Sequence, residues 1–368
     1  MRRRPLAAEA AKGLLHTASQ RMLISDPMEI RELSETLDDS LDFPVGDQLN
    51  SRPGYRAFEP EFRETGPNSL AFRMSTGGLH ASSAERIEFA TQAMCRVVGR
   101  NLGRPALTWF EGRSEAMRGS YGPRARGFGA WFSSAVDRGG LSEAAVTYEW
   151  GPDVMDALPR PLFELAQAVM TALPGLRPFF TTIRCGRAHG SQQITFEVDQ
   201  VLRLNDLKPL MDRIGVGQQH AGLMSLTAFI LGARFTLPPD TATITLVRTR
   251  RGVEMRLDIN LDALPDAPAQ LLPLLRLPMT ERPKSLRALD RWMTALTPEG
   301  YYGPGSVTVL SIRVRPDMPA RVALYLRPIS LDEPLELGVG PAEEADIASG
   351  SGAGGNSAER LQPAPVAP

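Results

Sequence analysis

The sequence predicts an α+β fold: a closed antiparallel barrel of ten strands, made of five αββα repeats with the helices outside. Three observations predict it. Five stretches read as β-hairpins, each a pair of Val/Leu/Ile-rich arms around a turn of Gly, Pro, Asn or Asp. Helical patterns separate successive hairpins. Each hairpin also carries one polar and one apolar face, because side chains alternate across a strand. Consecutive antiparallel hairpins leave exposed edges unless the sheet closes. A barrel packed outside and polar inside accommodates both faces, and ten strands leave room for ligands within it.

The last hairpin, Ser306 to Pro328, shows the face split most clearly. Its turn is Pro316, Asp317, Met318 and Pro319. In the return arm Arg321, Tyr325 and Arg327 share one face, opposite Val322, Leu324 and Leu326.

From the amino terminus, Ala7 to Leu23 is rich in helix formers. Asp26 to Leu41 is acidic, with Ile30, Leu33 and Leu37 at helical spacing and Asp26-Pro27 as a helix start. Pro44, Gly46, Pro53 and Gly54 mark a loop, so residues 1–50 form a helical and irregular leading segment. The first hairpin runs from Arg56 to Ser75 and turns at Thr65 to Asn68. Glu59, Glu61 and Arg63 share a face of its first arm, and Ala71, Arg73 and Ser75 share one on the return. Pro60 points to an edge strand or a bulge.

A helix is expected over Ser83 to Gly99, capped by Ser82 or Ser83. Leu107 to Phe128 has no clear pattern and contains a glycine-rich basic loop. The second hairpin spans Gly129 to Trp150, turning at Asp137 to Gly140, with Thr147 and Glu149 on the polar face. A helix over Pro161 to Leu173 follows. The third hairpin, Pro178 to Asp199, carries Thr182 and Arg184 on one arm and Gln193, Thr195, Glu197 and Asp199 on the other. Helices over Leu207 to Ile214 and Leu223 to Leu231 lead to the fourth hairpin, Ala242 to Leu261. There Glu254, Arg256, Asp258 and Asn260 face away from Met255, Leu257, Ile259 and Leu261. Two more helices, Pro268 to Leu275 and Ser285 to Leu296, precede the last hairpin. The barrel thus spans residues 51–332. Residues 338–368, all but coreless Gly, Ser, Ala and Pro, are expected to be a disordered tail.

The composition narrows the function. The 368 residues carry 41 basic and 42 acidic side chains, which gives no global case for nucleic acid or an anionic membrane. Two cysteines, Cys95 and Cys185, and four scattered histidines offer no disulfide framework and no metal-ligand spacing. No apolar run reaches the ~18 residues of a membrane span. A monomeric protein of the reducing cytoplasm is expected.

Read with these residues, the repeat resembles the αββα-barrel (ABBA) aromatic prenyltransferases, with cyanobactin-type peptide prenyltransferases and bacterial indole prenyltransferases as the nearest relatives. The resemblance covers about residues 55–330. It is carried by Glu59 with Arg73 on the partner strand, by TITLVRTRRGVEMRLDINLD in the fourth hairpin, and by RVALYLRP in the last. It implies transfer of an isoprenyl group, dimethylallyl or geranyl, from an allylic diphosphate to a peptide side chain or an aromatic small molecule. Arginine and tyrosine donors would hold the diphosphate: Arg73, Arg256, Arg321, Tyr325 and Arg327. Aromatic faces would shield the allyl cation. Glu59 takes the place of the catalytic carboxylate, with Glu61 as its rival.

The chain departs from that pattern. Its three lysines, Lys12, Lys208 and Lys284, lie outside the hairpins, and the inner faces carry Glu149, Glu197 and Asp258. Mg²⁺ bridging the diphosphate would offset this acidity. On the residues alone, Glu59 and Glu61 read equally well as solvated side chains of an edge strand. Singly, Arg73, Arg256 and Arg321 read as partners of Glu149, Glu197 and Asp258 in a structural network; together, on the polar faces of successive hairpins, they read as the lining of a ligand cavity. Trp109, Trp131, Trp150 and Trp292 read as core. A non-catalytic barrel that binds a peptide or hydrophobic ligand therefore stays open beside the transferase.

Overall fold

Alternation along each strand sets the wall of the molecule. In the strand Gly252–Asn260, Met255, Leu257 and Ile259 are completely buried in the hydrophobic core, while Glu254, Arg256, Asp258 and Asn260 point the other way. The computed structural model describes residues 4–47, 57–119, 127–151, 154–268 and 270–332.

Two helices come first, α1 (Ala7–Met22) and α2 (Arg31–Ser40). Asp26 caps the short turn before α2 by accepting from the Met28 amide at 2.9 Å. The first hairpin is β1 (Phe58–Arg63) and β2 (Leu70–Ser75), followed by α3 (Ser83–Asn101) and α4 (Arg104–Gly119). Ser82 and Glu85 close a capping box at the start of α3. The second hairpin is β3 (Ala130–Asp137) and β4 (Gly140–Glu149), then α5 (Arg160–Ala172). The third is β5 (Leu176–Gly186) and β6 (Gly190–Val198).

A two-residue strand β7 (Leu202–Arg203), helices α6 (Leu207–Arg213) and α7 (His220–Ile230), and β8 (Thr236–Leu237) lead on. β7 and β8 pair as a small separate sheet that the sequence pattern does not reveal. The fourth hairpin is β9 (Ala242–Thr249) and β10 (Gly252–Asn260), followed by α8 (Leu271–Met279) and α9 (Pro283–Leu296). The fifth is β11 (Gly305–Arg315) and β12 (Met318–Pro328), and α10 (Ile329–Asp332) ends the described chain.

The five hairpins form one closed barrel in the order β1-β12-β11-β10-β9-β6-β5-β4-β3-β2. Closure is made by β1 against β12, with Glu61 opposite Tyr325. Every neighbouring pair is antiparallel, so the sheet has no edge. Helices cover the outside: α3 lies on β3 and β4, α5 on β5 and β6, and α7 on β11 and β12. α1 packs on α9, where Arg21 donates to the Thr297 carbonyl at 2.7 Å.

Two expectations need correction. Pro60 lies in a closed barrel rather than at an edge. It sits opposite Phe72 of β2, and the β1–β12 pairing runs from Glu61 to Arg63, so the missing N–H falls just beyond that ladder. The unclear stretch after Leu107 holds helix α4, with Pro105 in its first turn, where a missing N–H costs nothing. Residues 120–126 of the basic loop and the expected disordered tail lie outside the described residues. No helix is long and apolar enough to cross a membrane among the described residues.

Candidate active site

Inside the barrel, the polar faces of the hairpins converge on a cavity of about 370 Å³. One half of its wall is charged. Glu61 and Arg63 come from β1, Arg73 from β2, Arg184 from β5, Arg256 and Asp258 from β10, and Tyr325 from β12. The rest carries four aromatic rings, Phe128, Trp131, Phe179 and Phe180, together with the carboxylates of Glu197 and Asp240.

The charged half is a ladder of matched pairs. Arg63 donates to Glu61 Oε2 at 2.6 Å and also binds Glu143, which accepts from Arg184 at 2.6 Å. Arg256 donates to Asp258 Oδ2 at 2.9 Å, and Ser311 donates to Asp258 Oδ1 at 2.5 Å. Arg73 donates to Glu59 Oε2 at 2.6 Å, and its guanidinium lies over the Tyr325 ring, 3.8 Å from the centroid. Glu59 is 1% exposed, also accepts from Thr308 at 2.5 Å, and lies behind Arg73, outside the cavity wall. Glu61 Oε1, in contrast, is buried with no hydrogen-bond partner among the described residues.

These pairs fix the charge states. Burial pushes the Glu61 carboxyl up, but Arg63, and behind it Arg256 and Arg184, hold it down at about 2. The Glu143 carboxyl is held well below the usual range against its burial by Arg184 and Arg63. Burial and then the nearby Glu61 charge push the Tyr325 phenol up, so it remains a hydrogen-bond donor. Burial disfavours the Arg256 cation, but Asp258 leads the interactions that hold its pKa above the ordinary value.

The aromatic half is set by backbone irregularity. A register shift between Pro178 and Phe180 interrupts alternation in β5, and Phe179 and Phe180 both reach the cavity, with ring centroids 3.9 Å apart. Trp131 meets Phe180 edge-on at 4.8 Å. Phe128 sits between Gly127 and Gly129, both at positive φ, and Glu149 accepts from both of their amides, at 3.0 and 2.8 Å. A Cβ on Gly129 would lie 2.4 Å from the Ser83 carbonyl oxygen. Gly129→Ala is therefore expected to destabilise the fold by about 2–4 kcal/mol, read from the urea midpoint.

Neither a protein-family model nor a curated protein matches the sequence. Solved structures do match. The prenyltransferase PriB superposes with a TM-score of 0.63 at 16% identity, covering 89% of this chain and 98% of that chain. 5-Dimethylallyltryptophan synthase from Streptomyces coelicolor gives 0.62 at 17%, covering 87% and 97%. 6-Dimethylallyltryptophan synthase from Micromonospora olivasterospora, solved with DMASPP and Trp, gives 0.64 at 15%, covering 87% and 96%. The fold is the ABBA barrel of the aromatic prenyltransferases.

Within this ABBA barrel, Glu61, Arg73, Arg256 and Tyr325 of the residues singled out by sequence meet at one cavity. Three do not line it. Glu59 is sealed behind Arg73. Arg321 turns to Glu64, 3.4 Å away, and Arg327 is held by Asp332 at 3.1 Å and Asp262 at 3.5 Å. Glu149, expected to acidify the interior, instead holds the backbone under Phe128. Trp131, read as core, is part of the cavity wall with Phe128, Phe179 and Phe180. The arginine–carboxylate network is present, but Glu143 and Arg63 are central to it. Arg63 shares the face of Glu59 and Glu61, which was the one signal for it in the sequence.

Proposed function

We propose that this protein transfers an isoprenyl group from an allylic diphosphate to an aromatic acceptor. One observation carries the reading: an ionised, half-unpartnered carboxylate, a set of arginines and four aromatic rings border a single barrel cavity. In the proposed reaction the allylic C–O bond breaks and the diphosphate leaves with the electron pair, its charge met by arginine. The allyl cation lies against the faces of Trp131 and Phe180. The acceptor ring attacks the cation, and its ring proton passes to Glu61. Tyr325, as a phenol, donates toward the bridging oxygen. The solved relatives with DMASPP and Trp support dimethylallyl as donor and an indole as acceptor. A peptide side chain as acceptor and a cytoplasmic setting belong to the same reading.

Magnesium does not fit as a resident ion. No group of three metal-binding side chains exists among the described residues, and Glu61, Glu143 and Asp258 are each bound to arginine. The cavity wall sets Arg63, Arg73, Arg184 and Arg256 against Glu61, Glu197, Asp240 and Asp258, so Mg²⁺ bound through the phosphate oxygens is expected to share the leaving group's charge, and excess EDTA is expected to lower transfer about tenfold.

The deciding experiment offers dimethylallyl and geranyl diphosphate to the purified protein with tryptophan, tyrosine and a peptide pool, read by mass spectrometry. An isoprene-sized mass gain supports the reading. Saturable ligand binding without any mass gain favours the non-catalytic barrel, which the internally paired arginines and the absence of lysine in the wall keep as the second reading.

A further inference from the structure

The two ends of the cavity differ in charge. Its cations, Arg63, Arg73, Arg184 and Arg256, are each met by a carboxylate: Glu61, Glu59, Glu143 and Asp258 in turn. At the end away from the hairpin turns the wall holds Glu197 near the close of β6, Asp240 just before β9 and Asn260 at the close of β10, with Phe128, Phe179 and Phe180. Among the described residues no arginine, lysine or histidine lines this end.

Strand pairing brings these groups together. Glu197 of β6 lies opposite Thr243 of β9, which lies opposite Asp258 of β10. The Asp240 amide donates to the Val198 carbonyl at 3.1 Å, which holds the Asp240 backbone next to Glu197. Asp240 has a φ of 60°, a left-handed conformation that Asp and Asn tolerate better than most residues. Arg177 approaches Glu197 at 3.5 Å from outside the lining, and it is shared with Asp199 at 3.3 Å. A second observation points to a ligand in the same space. Glu61 Oε1 is buried without a hydrogen-bond partner among the described residues, and Glu61 lines this cavity.

Carboxylates beside aromatic faces suit a cation on an apolar body, because the carboxylate oxygens accept from an ammonium and the rings attract it. The same wall repels a free carboxylate, which would meet like charge from Glu197 and Asp240. We infer that the acceptor is an aromatic ring bearing a protonated amine and no free carboxylate beside it. An arylethylamine and the amino-terminal aromatic residue of a peptide share this chemistry; a free aromatic amino acid does not. The ring lies among Phe128, Phe179 and Phe180, and the ammonium meets Glu197 and Asp240. That the bound amine is the acceptor rests on the transferase reading; the amine-selective end of the cavity does not.

The test is isothermal titration calorimetry of the full-length protein with tryptamine, tryptophanyl-glycinamide, tryptophan and the uncharged N-acetyltryptamine, followed by transfer assays with dimethylallyl diphosphate. Tryptamine or tryptophanyl-glycinamide is expected to bind about tenfold or more tighter than tryptophan, and the tighter of the two tells a free amine from a peptide terminus. In E197Q/D240N this preference over tryptophan falls toward one. Asn suits the backbone of position 240, and binding of N-acetyltryptamine shows that the variant's cavity still forms. Tryptophan bound by the wild type as tightly as both amines overturns the inference, as does a preference that survives in folded E197Q/D240N, or no binding of either amine. Prenyl transfer to tryptophan with a kcat/KM equal to that for both amines also overturns it and leaves the transferase reading intact. Amine-selective binding in a protein that transfers no prenyl group to any acceptor supports the amine-selective end and removes only the transferase reading.

Discussion

Glu61→Gln is expected to lower the proposed prenyl transfer by about 10²–10⁴-fold, the range for loss of a positioned acid–base group. Glu61 is the carboxylate of β1 that lines the cavity, and its Oε1 has no partner among the described residues. Arg63 keeps it ionised down to about pH 2, so the base form is present across the working range. Such a carboxylate is a weak base. A ring that has just been alkylated is a strong acid, however, and its proton needs a correctly placed acceptor more than a strong one. The amide retains the shape of the side chain and cannot take the proton. Arg63 keeps Glu143 in the variant, so the fold survives. Steady-state assays with saturating donor decide the matter. Turnover within about threefold of wild type would remove Glu61 from the chemistry. Rate profiles above pH 4 should show no acid limb from this group, because protonation occurs only near 2.

Arg63→Met is expected to cost about 3–5 kcal/mol of stability at pH 7, since removing one partner strands a buried charge. Arg63 is 11% exposed and bridges Glu61 and Glu143; without it Glu61 loses its hydrogen-bonded cation, and Glu143 retains only Arg184. The pH dependence follows from the direction of the shifts. Both carboxyls are depressed in the folded protein, so their stabilisation is fully present above the unfolded value, near 4.3. It is lost as pH falls toward 2. In the variant, burial without Arg63 raises the Glu61 pKa, and that group then favours folding as it protonates. The gap between the two proteins should be widest at neutral pH and close on acidification. Urea denaturation at pH 7 and pH 3 measures it; a gap that widens at pH 3 contradicts the account.

All five hairpins and nearly all of the helices were legible, because each hairpin's turn chemistry sits between runs of period two and each intervening segment has helical spacing. Helix α4 was not, since the glycines and arginines of its second half suit a loop by composition. Period two also gives a face but no depth. Arg321 and Arg327 share the face of Tyr325, yet local carboxylates, Glu64 for one and Asp332 for the other, hold their side chains off the cavity wall. Glu59 and Glu61 look equivalent in sequence, and only the position of Arg73 separates the sealed carboxylate from the one at the wall. The aromatic half was hidden because it depends on a bulge in β5 and on backbone hydrogen bonds to Glu149, neither of which alternation encodes.

Closure of β1 onto β12 ties the earliest strand of the barrel to the latest. During synthesis, β1 and its unpaired amides wait while four further hairpins are made, and no shorter product has a complete sheet. Pairings this distant in sequence form slowly, and an open strand edge invites association with another chain. A chain cut before Met318 should therefore fail as a whole rather than lose a part: it retains every group around Glu61 except Tyr325, and two raw edges where the wall should join.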